Sequence, residues 1–230
     1  MKTYIRRSAE RGHVDHGWLD TRHSFSFGTY HDPDHMGFGP LRVINQDRVQ
    51  PGAGFPLHGH RDMEIVSYVL SGTLAHQDST GTRGRIRPGD VQLMRAGRGI
   101  RHSEMNGSDS EGVHFLQIWI RPAHASSEPG YQQEHFSRDR RGAVLLVSPD
   151  GRECSLQIDQ DVDLWRLLVD EGHQTSRTLR GRRAWVQVIA GELEVGDVAL
   201  GPGDGLGVEG ESDLVLRARG EVEALLFDLP

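Results

Sequence analysis

Two histidines separated by a single residue, His58 and His60, are the first residues in the chain with a spacing that suits chemistry. In a strand, alternate side chains point to the same face, and their Cα atoms lie roughly 6.6 Å apart at about 3.3 Å per residue. Two imidazoles placed in this way can bind one metal ion. The chain has thirteen histidines, however, so a lone pair of this kind also arises by chance.

A second pair with the same spacing, His102 and Glu104, follows some forty residues later. Each pair comes after a glycine-rich turn, at 52–54 and at 97–99. If the two strands face each other, three neutral imidazoles and one carboxylate meet at one point. This donor set suits a divalent first-row ion, but it does not distinguish iron from manganese, nickel, copper, cobalt or zinc. Surface histidines near a turn, or a catalytic pair without metal, are the alternatives.

Composition excludes several classes of protein. The net charge is −7 and the pI is about 6.0, so the basic footprint of a nucleic-acid-binding protein is missing. Cys154 is the only cysteine, which rules out an internal disulfide framework. No run approaches the ~20 apolar residues of a membrane span, and the charged start of the chain lacks the apolar run of a secretory signal. We therefore expect a cytoplasmic protein that binds neither membrane nor nucleic acid directly.

Short apolar runs separated by glycine and proline turns predict the elements that position these residues. The chain contains 29 glycines, and closely spaced strands with such turns are typical of an all-β sandwich or barrel. The longest apolar run, 113–120, is rich in β-branched and aromatic residues and predicts a buried strand. The other predicted strands cover 41–44, 64–70, 73–78, 85–87 and 91–94. The polar segment 129–138 is interpreted as a linker.

The second half of the chain repeats the first weakly. The run 69–74 is similar to 188–193, a shift of 119, and Pro-Gly-Asp at 88–90 recurs at 202–204, a shift of 114. Two matches in the same order predict duplicated β units. The same shifts move the two pairs onto residues that do not form a plausible ligand set, so we expect the second unit to lack a metal: Arg177, Leu179, Leu216 and Ala218.

Aromatic and histidine residues outside the two pairs are given structural roles. The aromatic residues near the start are expected to cover the end of a barrel rather than to form a stacking surface: Trp18, Phe25, Phe27, Tyr30 and Phe38. Histidines without paired spacing are interpreted as surface or structural residues: His13, His16, His23, His31 and His35. His76 and His114 follow apolar strands and are expected to be hydrogen-bonded structural residues rather than ligands.

These motifs resemble a known family. Gly52, His58-x-His60 and Glu64 resemble the first cupin motif, and Gly99, His102 and Asn106 resemble the second. Further stretches resemble the pirin branch of the cupin superfamily, and together they span nearly the whole chain: 17–20, 23–27, 36–38, 58–65 and 97–104.

The resemblance implies an all-β bicupin, with two jelly-roll β-barrel domains in one chain. Residues 1–132 would form an N-terminal cupin with a metal site, and residues 133–230 a C-terminal cupin without one. The metal ligands carried over are His58, His60, His102 and Glu104. Glu64 is the competing carboxylate, but the pirin pattern favours Glu104. Fe(II) is the ion that the resemblance favours.

Bacterial pirin-like proteins are similar to quercetin 2,3-dioxygenases, which use O2 to open the central ring of a flavonol and release carbon monoxide. The resemblance therefore implies a flavonol-like substrate. Our hypothesis is that Glu104 takes the flavonol proton as a general base, provided that its bond to the metal is labile. The family also includes a eukaryotic nuclear protein linked to transcriptional control, so the alternative is a metal-binding, redox-sensing regulatory or protein-interaction module without turnover. A different cupin enzyme, such as an isomerase or another oxygenase, is the third possibility. We expect a monomer, because two cupin domains in one chain can already bury the surface that two single-domain cupins bury by pairing.

Overall fold

The computed structural model describes residues 2–181 and 183–230, and they form an almost purely β structure. The first twelve strands are β1 Lys2–Arg6, β2 Gly12–Asp15, β3 Leu19–His23, β4 Leu41–Val49, β5 Gly54–His60, β6 Glu64–Ser71, β7 Leu74–Asp78, β8 Arg83–Ile86, β9 Asp90–Arg95, β10 Ile100–Asn106, β11 Val113–Ile120 and β12 Gly130–His135. The other ten are β13 Gly142–Ser148, β14 Leu156–Gln157, β15 Asp163–Val169, β16 Gln174–Thr178, β17 Arg183–Ala190, β18 Leu193–Val195, β19 Val198–Leu200, β20 Gly205–Glu209, β21 Asp213–Ala218 and β22 Val222–Leu229. Short 3-10 helices cover Ser8–Glu10 and Arg152–Cys154. The all-β prediction is confirmed.

The chain divides into two compact units. One consists of Gly12–Phe136 and Ile158–Gln160, and we call it the N-terminal barrel. The other, the C-terminal barrel, contains the segment up to Arg11, Ser137–Gln157 and Asp161–Pro230. The predicted division after residue 132 differs from these units, because it would cut β12, which pairs with β9 of the N-terminal barrel. The polar composition of β12 suggested a linker, yet the segment is the edge strand of a sheet.

The N-terminal barrel is built from two antiparallel sheets. A seven-stranded sheet has the order β12-β9-β6-β11-β4-β3-β2, and a four-stranded sheet has the order β5-β10-β7-β8. Buried residues alternate with more exposed ones along β4: Val43, Asn45 and Asp47 are buried, whereas Arg48 is exposed. This alternation, with period two, directs one face of each strand into the barrel.

The C-terminal barrel repeats this arrangement. Its sheets have the orders β1-β20-β17-β22-β15-β13-β14 and β16-β21-β18-β19. The strands from β15 to β22 therefore occupy the same relative positions as those from β4 to β11, and the predicted duplication is confirmed. β1 adds an edge strand by pairing with β20. Among the described residues, no helix is long and apolar enough to cross a membrane.

The interior of the C-terminal barrel is apolar where the N-terminal barrel carries its histidines. Leu179, Leu216 and Ala218 are buried in one hydrophobic cluster. Arg177 places its guanidinium carbon 4.3 Å from the centre of the Trp165 ring. These are the four positions reached by the sequence shifts, and their side chains offer no metal donors apart from a guanidinium, which is always protonated. In the strand pairing, the counterpart of His102 is Leu214, because Leu214 pairs with Arg177 as His102 pairs with His58. Leu214 is buried in the same hydrophobic cluster. That this barrel binds no metal stays a prediction.

Candidate metal centre

Strands β5 and β10 bring the two predicted pairs side by side. They are antiparallel neighbours, and the Cα of His102 pairs with that of His58, while Ile100 pairs with His60. A register shift follows between His102 and Glu104. A bulge of this kind re-aims the side chains beyond it, and here Glu104 comes to lie opposite Phe55.

The three imidazoles converge on one point. One ring nitrogen from each of His58, His60 and His102 lies within 4.8 Å of the others. The Nε2 atoms of His58 and His102 are 3.1 Å apart. Two nitrogens bound at right angles to one ion, each at about 2.1 Å, are separated by about 3.0 Å. The spacing therefore fits a shared metal ion.

Hydrogen bonds on the far side of two rings leave the converging nitrogens unprotonated. His58 donates from Nδ1 to the carbonyl oxygen of Pro56 at 2.8 Å. Behind His102 lies His76, with the two Nδ1 atoms 3.4 Å apart, and His76 Nε2 lies 3.1 Å from Asp78 Oδ2. The carboxylate can only accept, so His76 carries its proton on Nε2 and accepts from His102 at Nδ1. Such outer partners fix the tautomer of a metal-binding histidine. As expected, His76 itself is a hydrogen-bonded structural residue.

The electrostatic environment keeps the imidazoles of His60 and His102 neutral. Burial, followed by the neighbouring His58, lowers the pKa of His60 to about 4. Burial and then His58 and His60 lower the pKa of His102 to about 2. Metal binding requires the neutral ring, and both rings are in that form at neutral pH.

Glu104 provides a carboxyl group at the edge of the cluster. Its side chain is buried, and Oε2 lies 3.9 Å from Nε2 of His102. Ser67 donates to Oε1 at 3.1 Å, and Gln117 donates from Nε2 to Oε2 at 2.5 Å. Burial raises the pKa of Glu104 to about 7, although the Ser67 and Gln117 hydrogen bonds act in the opposite direction. The three histidines fit a divalent ion, and this carboxyl group lies beside one of them.

Glu64, the competing carboxylate, lies in the other sheet on β6. It accepts a hydrogen bond from Arg95 Nε at 2.9 Å. Burial raises the pKa of Glu64 to about 7, partly offset by Arg95. Its partner is therefore a guanidinium rather than the histidine cluster.

A cavity of about 310 Å³ lies within the N-terminal barrel beside this cluster. Its apolar walls include Trp18, Phe27 and Phe55, so two of the aromatic residues expected only to cover the barrel line a cavity instead. Phe55 is the register partner of Glu104. The Phe27 ring contacts that of Trp119 at 5.2 Å, and Trp119 contacts His60 at 4.8 Å between centroids. Trp119 is thus the one side chain between Phe27, which lines the cavity, and His60 of the histidine cluster.

Four polar residues inside the barrel were missed by sequence reasoning. Asn45 and Asp47 lie on β4 and line the cavity, and Ser67 and Gln117 hold Glu104. His16 and His23, interpreted as surface or structural, also line the cavity. The signal was present in the sequence, because each of the four lies at a position with the same parity as buried apolar residues of its own strand.

Comparison with protein families matches both halves of the chain. The Pirin model covers residues 4–120, and the model described as the quercetinase C-terminal cupin domain covers residues 145–229. The chain belongs to the pirin family. The bicupin fold that the motifs implied is therefore confirmed.

Individual relatives support the same assignment. This pirin is 46% identical over 229 residues to a quercetin 2,3-dioxygenase from Escherichia coli, covering 99% of this chain and 98% of that protein. It is 39% identical over 221 residues to a pirin-like protein from Caulobacter vibrioides, covering 94% and 95% of the two chains. The crystal structure of an Escherichia coli bacterial pirin in complex with nickel(II) superposes with a TM-score of 0.96 at 43% identity, covering 100% and 99%.

Proposed function

We propose that this pirin is a metal-dependent dioxygenase that uses O2 to open the central ring of flavonols such as quercetin and releases carbon monoxide. The observation that carries the proposal is the convergence of His58, His60 and His102, with the buried carboxyl group of Glu104 3.9 Å from His102 and an aromatic cavity nearby. The relative from Escherichia coli called quercetin 2,3-dioxygenase supports the substrate class.

The four residues proposed to hold the ion are His58, His60, His102 and Glu104, and we propose Fe(II) as the native metal. A similar pirin whose crystal structure is a complex with nickel(II) supports a divalent ion as the bound metal. A divalent ion held there would act as a Lewis acid and favour the ionised form of a flavonol hydroxyl. The donor set alone admits several first-row metals.

Glu104 is proposed to accept the proton of the flavonol 3-hydroxyl. Burial raises the pKa of this carboxyl group in the metal-free site. The base role requires the bond between Glu104 and the metal to be labile, so that the carboxylate can reach the substrate proton. Ser67 and Gln117 each bind one oxygen of the carboxyl group and so fix its orientation. The aromatic walls of the cavity exclude water from the substrate, which strengthens polar interactions at the reacting atoms.

The proposal is tested by measuring metal content, oxygen uptake and carbon monoxide release with quercetin. His60→Ala should lose both metal and turnover. The matched control is His124→Ala, which removes an exposed histidine that pairs with Asp159. Stoichiometric metal without turnover of any flavonol would instead support the regulatory module. Turnover by metal-free protein would refute the metal centre.

The base assignment needs its own variant. Glu104→Gln keeps the shape of the side chain and removes its basicity. We expect a loss of turnover that exceeds the loss of metal. A Glu104→Gln protein with full metal content and full turnover would remove Glu104 as the base.

We further propose that this pirin acts as a monomer and binds no nucleic acid directly. The net charge of −7 supports the second point, since nucleic-acid binding depends on basic contacts with phosphates. Light scattering after size-exclusion chromatography tests the first point, and a dimer at micromolar concentration would contradict it.

A further inference from the structure

The cavity contains a carboxylate with an open oxygen. Asp47 lies on β4 and is only 3% exposed. Its Oδ1 accepts a hydrogen bond from the hydroxyl of Thr21. Within 2–181 and 183–230, Oδ2 has no hydrogen-bond donor and no cation pairs with the group. Oδ2 is not sealed in the protein interior but faces the cavity, where a donor from outside the chain can reach it.

The environment of Asp47 is unusual for a structural acid. Burial raises the pKa of Asp47 to about 7, although the Thr21 hydroxyl acts in the opposite direction. Buried charges in proteins are normally paired or bind metals. An unpaired carboxyl group that lines a cavity is more typical of a ligand site.

A second polar group lies two residues away on the same face of β4. Asn45 Oδ1 accepts a hydrogen bond from Nδ1 of His23 at 2.8 Å, which directs the amide NH2 group elsewhere. In the described part of the chain, that NH2 group has no acceptor. Asn45 also lines the cavity. The cavity therefore offers an acceptor, Asp47, and a donor, Asn45, whose Cα atoms lie about 6.6 Å apart along one strand.

Aromatic rings form the walls around these two groups. The Trp18 and Phe55 rings meet edge to face at 5.4 Å between centroids. Phe27 lines the cavity as well. Planar aromatic ligands stack favourably against such walls. The combination fits a flat ring with hydroxyl groups at its edge.

We propose that this cavity binds the hydroxylated pendant ring of a flavonol, with Asp47 accepting a hydrogen bond from a ring hydroxyl and Asn45 donating one. Asp47 is thereby a specificity-determining residue, and this inference rests on the proposed function. The pendant ring is attached to the carbon next to the one that carries the 3-hydroxyl. A flavonol with its 3-hydroxyl at Glu104 consequently has this ring close to Phe55, the register partner of Glu104.

The test is equilibrium binding of flavonols whose pendant ring carries two, one or no hydroxyl groups: quercetin, kaempferol and galangin. Full-length protein loaded with nickel(II) is titrated under argon, so that no turnover occurs, and quenching of tryptophan fluorescence reports binding. A hydrogen bond to a charged group contributes enough to make quercetin bind about ten- to a hundredfold more tightly than galangin.

Asp47→Leu should abolish this preference while leaving the affinity for galangin within about twofold. The matched control is Asp20→Leu, since Asp20 lies on the adjacent strand with its side chain 45% exposed and pairs with His13. The control should keep the preference.

The outcomes separate the two proposals. Equal affinities of wild-type protein for all three flavonols, or a preference that persists in Asp47→Leu, would overturn the role of Asp47 while leaving the dioxygenase proposal standing. A preference for quercetin in protein that shows no oxygen uptake would support the ring site and refute the enzyme. If Asp47→Leu does not fold, Asp47→Asn, which keeps the size of the side chain and removes its charge, is titrated instead; a preference of wild-type strength in that variant would likewise overturn the role of Asp47.

Discussion

Replacing Asp78 with asparagine should weaken metal binding from a distance, although Asp78 does not belong to the three-histidine group. Oδ1 of Asp78 accepts hydrogen bonds from Thr80 N at 2.9 Å, Thr80 Oγ1 at 2.6 Å and Thr82 N at 3.1 Å. In Asp78→Asn these three donors hold the amide oxygen at the Oδ1 position. The amide NH2 then faces Nε2 of His76.

Asp78→Asn would therefore change which ring nitrogens of His76 and His102 carry a proton. His76 would accept at Nε2 and carry its proton on Nδ1, which faces Nδ1 of His102 at 3.4 Å. His102 would then be protonated on Nε2, the nitrogen that lies 3.1 Å from Nε2 of His58. The nitrogen needed for the ion would no longer have a free lone pair.

The expected loss follows from the Asp78–His76 hydrogen bond, which lies in the interior with both side chains 0% exposed. A hydrogen bond to a charged group contributes about 1.5–3 kcal/mol, and 1.4 kcal/mol is a factor of ten in affinity. We therefore expect nickel(II) to bind about 10–100-fold more weakly, in line with other outer-shell substitutions. Competition with a chelator measures this affinity.

The matched control is Asp90→Asn. Asp90 also pairs with a histidine, His135, at 2.7 Å, but that histidine is exposed. The nickel affinity of the Asp90→Asn protein should equal that of the wild type. An Asp78→Asn protein that binds nickel within about threefold of the wild type would refute the proton arrangement described here.

Glu64→Gln should leave nickel affinity within about threefold, whereas Glu104→Gln should lower it at least about tenfold; equilibrium dialysis tests both, and the opposite order would make Glu64 the ligand. Asp47→Asn should raise the Tm more at pH 8 than at pH 5, because the pKa of Asp47 is raised from 3.8 to about 7. The folded state therefore holds this proton more tightly than the unfolded state, and stability falls as the pH rises from about 4 to about 7. Leu216→Ala should cost about 2–5 kcal/mol in urea denaturation without changing the nickel stoichiometry; a lower stoichiometry would place metal in the C-terminal barrel.

Local periodicity was enough to predict which side chains share a face. The i, i+2 spacing of His58 and His60, and of His102 and Glu104, predicted that both pairs would lie on strands, and β5 and β10 confirm those strands. The structure brings the four side chains together, while their role as metal ligands stays a prediction. The bulge beside Glu104 could not be predicted, because it depends on how β10 matches β5 rather than on either strand alone.

Residues that act through tertiary contacts were harder to recognise. His76 and Asp78 have the same i, i+2 spacing as the predicted ligands, but only the pairing of β10 with β7 places them behind His102. Asp47 lies on the inward face of a strand of mixed composition, and the partner of one of its oxygens is Thr21 of the neighbouring strand. Such roles require the register of several strands, which one sequence does not determine.

The position of β1 has a consequence for synthesis of the chain. Arg6 pairs with Gly205, about 200 residues later. At a translation rate of about 5–20 residues per second, β1 waits roughly 10–40 s for its partner strand. A fragment that begins at Ser137 would lack this strand and leave the edge of β20 open to intermolecular pairing. The C-terminal barrel therefore cannot be excised as one continuous segment without exposing a sheet edge to aggregation.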